Sequence, residues 1–336
     1  MRPQRLFRQN ELYLFFVLVA FSAILTIINP SFLTFENLFD LIYSGAGTAI
    51  LAIGVFIVLL SGGIDVSFTA IAIAGQYVSV HVLIASGIDN IYLAFLISCS
   101  LGIALGAINA LLISIFELNT LITTLGTLNV FHGALLSFVG TKAINVGQIP
   151  DSYKEFGSID IINIMRSDGT SYGLSIYALI VLGIAVMTWL ILRFTMLGRG
   201  IYAIGGNREA AKRAGFNIVG IQFFIYCYVG FLAGIMGVLA VSIIRYSNPL
   251  YIVGEELNVI AAVVLGGARI TGGSGSIIGT LMGVAMIIIL QKNLVLMGLS
   301  SYWHQFFIGL IIIGGVSITY YQNKLRGRKS LAYLKQ

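Results

Sequence analysis

Apolar runs of about twenty residues, repeated along almost the whole chain and separated by short polar breaks, constrain this sequence more than any motif in it. A helix rises about 1.5 Å per residue, so about 20 mainly apolar residues cross a hydrocarbon core about 30 Å thick. The expected spans are Leu12 to Asn29, Leu38 to Leu60, Val66 to Ala85, Ile91 to Phe116, Leu121 to Val139, Leu174 to Phe194, Val219 to Ser242, Leu257 to Gly266, Ser276 to Leu294 and Trp303 to Tyr320. The fold class that follows is an all-α integral membrane protein of about ten transmembrane helices, taken as one domain over residues 1–336. With 58% hydrophobic and 10% charged residues, the chain has no composition for an ordinary soluble domain. Leu257 to Gly266 is too short to cross alone, so it either borrows Glu255 and Glu256 or forms a broken helix buried among its neighbours. The four prolines, Pro3, Pro30, Pro150 and Pro249, all fall outside the spans.

Basic residues are held on the cytoplasmic side of a membrane protein. With ten spans and the N-terminus inside, all of the 19 Lys and Arg fall on inner segments except Lys142, Lys154, Arg166, Arg245 and Lys292. The chain is therefore expected to be N-in and C-in. The net charge of +6 then reports topology, and no nucleic-acid partner is needed to explain it. The start, Met-Arg-Pro-Gln-Arg-Leu-Phe-Arg, resembles a signal n-region, but a span-length run follows it without an evident cleavage site. It reads as an uncleaved first span. Cys99 and Cys227 lie in separate spans, so neither a disulfide framework nor a metal cluster is expected.

Two polar segments interrupt the spans. The outer loop, about 140–172, carries Asp151, Lys154, Glu155, Asp160, Arg166 and Asp168 and is long enough to form short elements of its own. It is either a docking surface or a solvated connector. The inner loop, about 195–218, says more. Asn207 is a good N-cap, Glu209 suits the first turn, Lys212 and Arg213 suit the last, and Gly215 can close the helix. Arg208 completes a two-turn helix whose small residues, Ala210, Ala211 and Ala214, allow a partner to approach closely. So short a helix is marginal alone and must rest on something.

Four segments resemble the permeases of bacterial ATP-binding-cassette importers, in the branch serving ribose, xylose, arabinose, galactofuranose and autoinducer-2. They are Leu59-Leu-Ser-Gly-Gly-Ile-Asp-Val-Ser67, Leu197-Gly-Arg-Gly-Ile-Tyr-Ala-Ile-Gly-Gly-Asn207, Ala262-Val-Val-Leu-Gly-Gly-Ala268 and Gly272-Gly-Ser-Gly-Ser-Ile-Ile-Gly-Thr280. The resemblance implies that Asn207 to Gly215 form the coupling helix seated in a groove of a separate ATPase subunit. It also implies a second permease copy or paralogue, an external solute-binding protein, and alternating access driven by ATP that the partner binds. The permease itself would need no cofactor and catalyse nothing.

Leu60-Ser-Gly-Gly63 matches part of an ATPase signature loop, but no Gly-x-x-x-x-Gly-Lys-Ser/Thr turn accompanies it. It reads as a glycine turn, with Asp65 near the start of the next helix. The glycine-rich run Leu265 to Ser276 likewise lacks the strand that a phosphate cradle needs and is expected to turn tightly between spans. Small residues spaced by four, Ser98, Gly102, Gly106 and Ala110, then Gly230 and Gly234, then Gly279 and Gly283, predict helix packing seams.

Polar side chains within spans mark either interhelical bonds or a water-filled path. Gln76, Asn109, Thr124, Asn129, His132 and Asn258 are the candidate path residues, because amides and hydroxyls match a sugar-like solute without charge; His81 also falls within a span. No His pair or carboxylate spacing supports a metal site. The competing class is an ion-coupled secondary carrier or a channel. The carrier would place a carboxylate at mid-membrane depth, whereas the thirteen Asp and Glu fall in loops or near span ends, Asp40 being the least clear. Composition alone leaves a channel open, but a channel gives the inner helix no purpose.

Overall fold

The computed structural model describes residues 9–165 and 171–296, and, within the last expected span, Trp303, Phe306, Gly309, Leu310, Ile313 and Gly314. Twelve α-helices run through the two long stretches. Seven are long and apolar enough to cross a membrane: α1 (Gln9–Ile28), α2 (Phe35–Leu60), α3 (Phe68–Ser86), α4 (Ile91–Ser114), α5 (Thr120–Ala134, extended by a π turn at Leu135–Val139), α7 (Tyr177–Phe194) and α10 (Ile218–Ile244). Between them lie α6 (Asp151–Gly157), α8 (Met196–Gly206) and α9 (Arg208–Arg213), and the shorter apolar helices α11 (Glu256–Leu265) and α12 (Ile277–Leu296) follow. Trp303 to Tyr320, the tenth expected span, lies mostly outside the described residues; the isolated positions described there are helical.

Six of the helix starts are written locally. Thr34, Asn90, Asn119, Thr195, Asn207 and Asn217 each accept a hydrogen bond from a free N–H in the first turn of α2, α4, α5, α8, α9 and α10. Those N–H groups have no partner within the helix, so a short side-chain oxygen supplies one. Gly87, at φ +66°, closes α3 in the left-handed conformation that glycine adopts without strain.

The core centres on α2, whose residues from Ile50 to Leu60 are all buried against α7, α10, α11 and α12. By contrast α1 is mostly exposed, its apolar surface suited to lipid. The small-residue stripes of α4 and α10 prove to be two halves of one seam. A Cβ added at Gly102 would meet the Gly230 carbonyl, one at Gly106 would meet that of Tyr226, and Ser98 Oγ donates to the Gly234 carbonyl at 2.7 Å. Without a hydrophobic drive between helices in lipid, such close backbone approach is what dispersion and polar contacts can exploit. Gly279 and Gly283 serve α12 in the same way against Gly266 and Ala262, the C-terminal half of α11 and its cap.

Two sequence readings need correction here. The inner loop 195–218 was expected to hold one two-turn helix, but Met196–Gly206 is helical as well, despite its four glycines. The outer loop folds into α6 and an antiparallel hairpin, β1 (Asp160–Met165) with β2 (Ser171–Ser175), so the following span begins at Tyr177 and not at Leu174, and the described fold is helical apart from this hairpin and an isolated bridge. The loop is tied down at three places. Ile144 and Ser247 exchange backbone hydrogen bonds at 2.8 and 3.0 Å, Tyr153 donates to Ser79 at 2.8 Å, and the Asp89 carboxylate accepts the N–H groups of Asp151 and Ser152 at 3.0 Å each.

Candidate functional site: a capped surface helix on a glycine joint

The expected coupling helix forms as the residue types require. Asn207 Oδ1 accepts the Ala210 N–H at 2.9 Å, and Glu209 stands in the first turn with Lys212 and Arg213 in the last. Gly215, at φ +86°, closes it: its N–H reaches the Lys212 carbonyl at 3.0 Å, and that of Phe216 reaches Ala211 at 3.2 Å, the paired bonds of a Schellman ending. Arg208, Glu209, Ala210, Lys212, Arg213 and Ala214 are exposed. Ala211 is not: at 3% exposure it packs into the core, so Ala210 and Ala214, one turn apart, make the small outer face. The helix therefore rests on the bundle through Ala211 and Phe216. A cleft of about 360 Å³ opens beside it, lined by Glu117, Arg208, Glu209, Lys212, Phe216, Asn217, Ile218 and Val219. Across that cleft Arg208 donates to Glu117 at 3.3 Å, linking α9 to the α4–α5 turn. The pair is exposed, so its worth is in register more than in energy.

At the end of α8, next to the start of α9, lies a joint that the sequence reading did not assemble. Three of its motif segments meet there: the turn after α2, the end of α8 and the glycine-rich run before α12. Gly273 N–H donates to the Leu60 carbonyl at 2.9 Å, a Cβ at Gly205 would strike that same carbonyl, and a Cβ at Gly272 would lie 2.8 Å from Gly62 Cα. Gly62, Gly272 and Gly273 also have φ of +85°, +86° and +75°, a conformation that favours glycine, and at Gly272 the close approach leaves no space for a Cβ either. The signal was present as glycines in three motifs; what was missing was their convergence.

Connector 61–67 continues from this joint back into the bundle. Asp65 is 1% exposed; its Oδ1 accepts both the Ser67 N–H and Oγ–H at 2.7 Å. Burial pushes this carboxyl up to about 6, with the two Ser67 hydrogen bonds opposing the shift. Four residues on, Thr69 donates to Glu256 at the start of α11, which also accepts the Gly254 N–H. Both carboxylates stand at helix starts, as expected, yet they are enclosed by neighbouring helices, which sequence position alone did not convey.

The candidate path residues separate into two groups. Gln76, Asn109 and Thr124 are buried in the bundle. Asn109 donates to Ser67 at 2.7 Å, and Thr124 accepts the Val66 N–H and donates to the Ile64 carbonyl, both at 3.3 Å, so these two brace the connector. Gln76 sits where Gly237 of α10 passes against it. Asn129 is exposed on α5 and bonded within its own helix, His132 Nε2 meets the Pro249 carbonyl at 2.9 Å, and Asn258 donates to Glu255 at 2.7 Å. His81 stacks edgewise on Tyr77 in α3. Among the described residues no cluster of His, Cys, Asp or Glu could hold a metal, and Cys99 and Cys227 are free thiols.

Seven membrane-length helices define a multi-pass membrane protein, with a capped, charged and exposed helix between α8 and α10. The chain belongs to the permease family described as branched-chain amino acid transport system / permease component, whose family model matches residues 37–316. It is 31% identical over 320 residues to the ribose import permease of Escherichia coli K12, covering 93% of this chain and 94% of that protein. The ribose import permease of Bacillus subtilis strain 168 is 35% identical over 290 residues, 86% of each chain. The autoinducer 2 import permease of Enterobacter sp. strain 638 is 29% identical over 309 residues, 92% of this chain and 86% of that one. No solved structure matches the chain.

Proposed function

We propose that this chain is the transmembrane subunit of a bacterial ATP-binding-cassette importer that moves a sugar or sugar-like solute by alternating access, powered by a separate ATPase. The observation that carries this reading is near-complete coverage of ribose import permeases, with D-allose and autoinducer 2 permeases among the relatives. In this reading the chain sits in the cytoplasmic membrane with both ends inside. The arrangement of connectors supports it: 61–67, 115–119, 195–217 and 266–276 gather at the α9 end, held by the Leu60–Gly273 and Arg208–Glu117 contacts. The opposite end holds the hairpin, α6 and the Lys292–Asp40 pair at 2.7 Å. Arg193, Arg199, Arg208, Lys212 and Arg213 therefore share one end, as the rule for cytoplasmic basic residues requires.

Asn207 to Gly215 dock in the ATPase, Ala210 and Ala214 permitting close approach and the flanking charges fixing register. The outer loop receives a solute-binding protein. A second copy or paralogue completes the pathway, to which Asn129, His132 and Asn258, nearest the surface among the polar candidates, contribute, with Gln76, Asn109 and Thr124 behind them. Solute selection falls to the binding protein, so weak uncharged contacts suffice along the path.

Glu209→Arg and Arg213→Glu test the docking. Each leaves membrane insertion and thermal stability near wild type, because both side chains are exposed, and each lowers ATPase co-purification by about tenfold or more through like-charge contact. Normal co-purification with either variant would count against the coupling role.

A further inference from the structure

Connector 61–67 carries a buried group that the import mechanism does not use. Asp65 Oδ1 is bonded twice by Ser67, but Oδ2, fully enclosed, meets no hydrogen-bond partner. Ser67 Oγ is in turn held by Asn109 Nδ2, and Asn109 Oδ1 is a second enclosed acceptor without a donor. The surrounding elements bring no cation among the described residues. From α4 comes Asn109, from α5 come Thr120 and Thr124, and from α10 comes Tyr226, the titratable neighbour, whose hydroxyl lies 3.1 Å from where a Gly63 Cβ would stand.

An enclosed carboxylate without a counter-charge loses its hydration and gains little in exchange. One proton on Oδ2 removes the charge and turns an acceptor without a donor into a donor. The Ser67 bonds pull the other way, since they favour the ionised form. We infer that Asp65 is a proton-binding site, a carboxyl that gains and loses its proton in the folded protein, and that its charge state sets how firmly connector 61–67 is seated against α4 and α5. The upward shift to about 6 places this exchange between neutral and mildly acidic pH. Because the same connector includes Gly62, whose backbone lies against Gly205 and Gly272, its seating bears directly on the glycine joint at the start of α9. The site stands on these contacts alone and survives if the ATPase docking reading fails.

The test is an infrared titration of the purified full-length chain in lipid nanodiscs, following the carbonyl stretch of protonated carboxyl groups in wild type, D65N, S67A and E256Q. Wild type minus D65N shows a protonated-carboxyl band that disappears with a midpoint near 6. E256Q keeps that band, and S67A, lacking a hydrogen bond that favours the carboxylate, moves its midpoint upward. The proposal is overturned if the difference spectrum lacks the band at about pH 5, or if its midpoint sits at the ordinary aspartate value of about 4. Should D65N not fold, the S67A titration decides: a raised midpoint supports the site, and an unmoved one rejects it.

Discussion

Two adjacent glycines at the end of α8 show how finely the joint is specified. A Cβ on Gly205 would collide with the Leu60 carbonyl and stand 2.6 Å from the Gly273 nitrogen, whereas one on Gly206 would meet nothing within 4 Å. Gly205→Ala is therefore expected to lower stability by about 1–3 kcal/mol, the usual cost of overpacking, with Gly206→Ala within about 0.5 kcal/mol of wild type. Thermal unfolding of the detergent-solubilised chain reads both. Asp65 adds a pH dependence of known sign. Its folded value is raised to about 6, so the native state holds the proton more tightly than the unfolded chain. The resulting stability is complete below the ordinary value of about 4 and is lost as pH rises through about 6. Relative to D65N, wild type should thus melt progressively lower from about pH 4 to about pH 7, by up to about 3 kcal/mol for a shift of about two units. A constant difference across that range would contradict the assignment.

Among elements, the span-length helices were legible because a single requirement, about 20 apolar residues in a row, dominates every other preference. The same holds for α9, whose cap, charges and closing glycine are all local. Helix α8 was not legible, because glycine costs about 1 kcal/mol each in a helix and four of its eleven residues are glycine. Packing overrides that cost: a Cβ at Gly200 would press on Phe216 and Ile221, and one at Gly198 on the backbone of Leu192. The small-residue stripes were legible as stripes, yet periodicity within one helix says nothing about its mate, so the α4–α10 seam emerged only from the fold. Polar residues posed a similar problem. An amide in a span reads the same whether it braces a connector, as Asn109 does, or lies at a surface, as Asn129 does. Cap removal tests the local account of α9: Asn207→Ala should cost about 1 kcal/mol of helix stability and weaken ATPase association, while Asn207→Asp keeps both. Hydrogen exchange at Ala210, whose N–H the cap accepts, reports the first effect directly.

At the scale of the molecule, the two ends of the bundle differ in kind. One presents a short charged helix next to a glycine joint, with no room for a Cβ at Gly205 or Gly272; the other carries a larger folded loop tied down by Asp89, Ser79 and Ser247. Rigid seating at the first end suits a part that must pass on a partner's movement without absorbing it, and the polar face of α9 has no lipid-facing use. The central claim is that this movement comes from a separate ATPase. Its most direct test is affinity purification of the tagged chain from solubilised native membranes, followed by mass spectrometry and an ATP hydrolysis assay of the complex. An ATPase subunit recovered in stable proportion, with hydrolysis present, is the predicted result; a stable single component without ATPase activity would contradict the account and favour a self-sufficient carrier or channel.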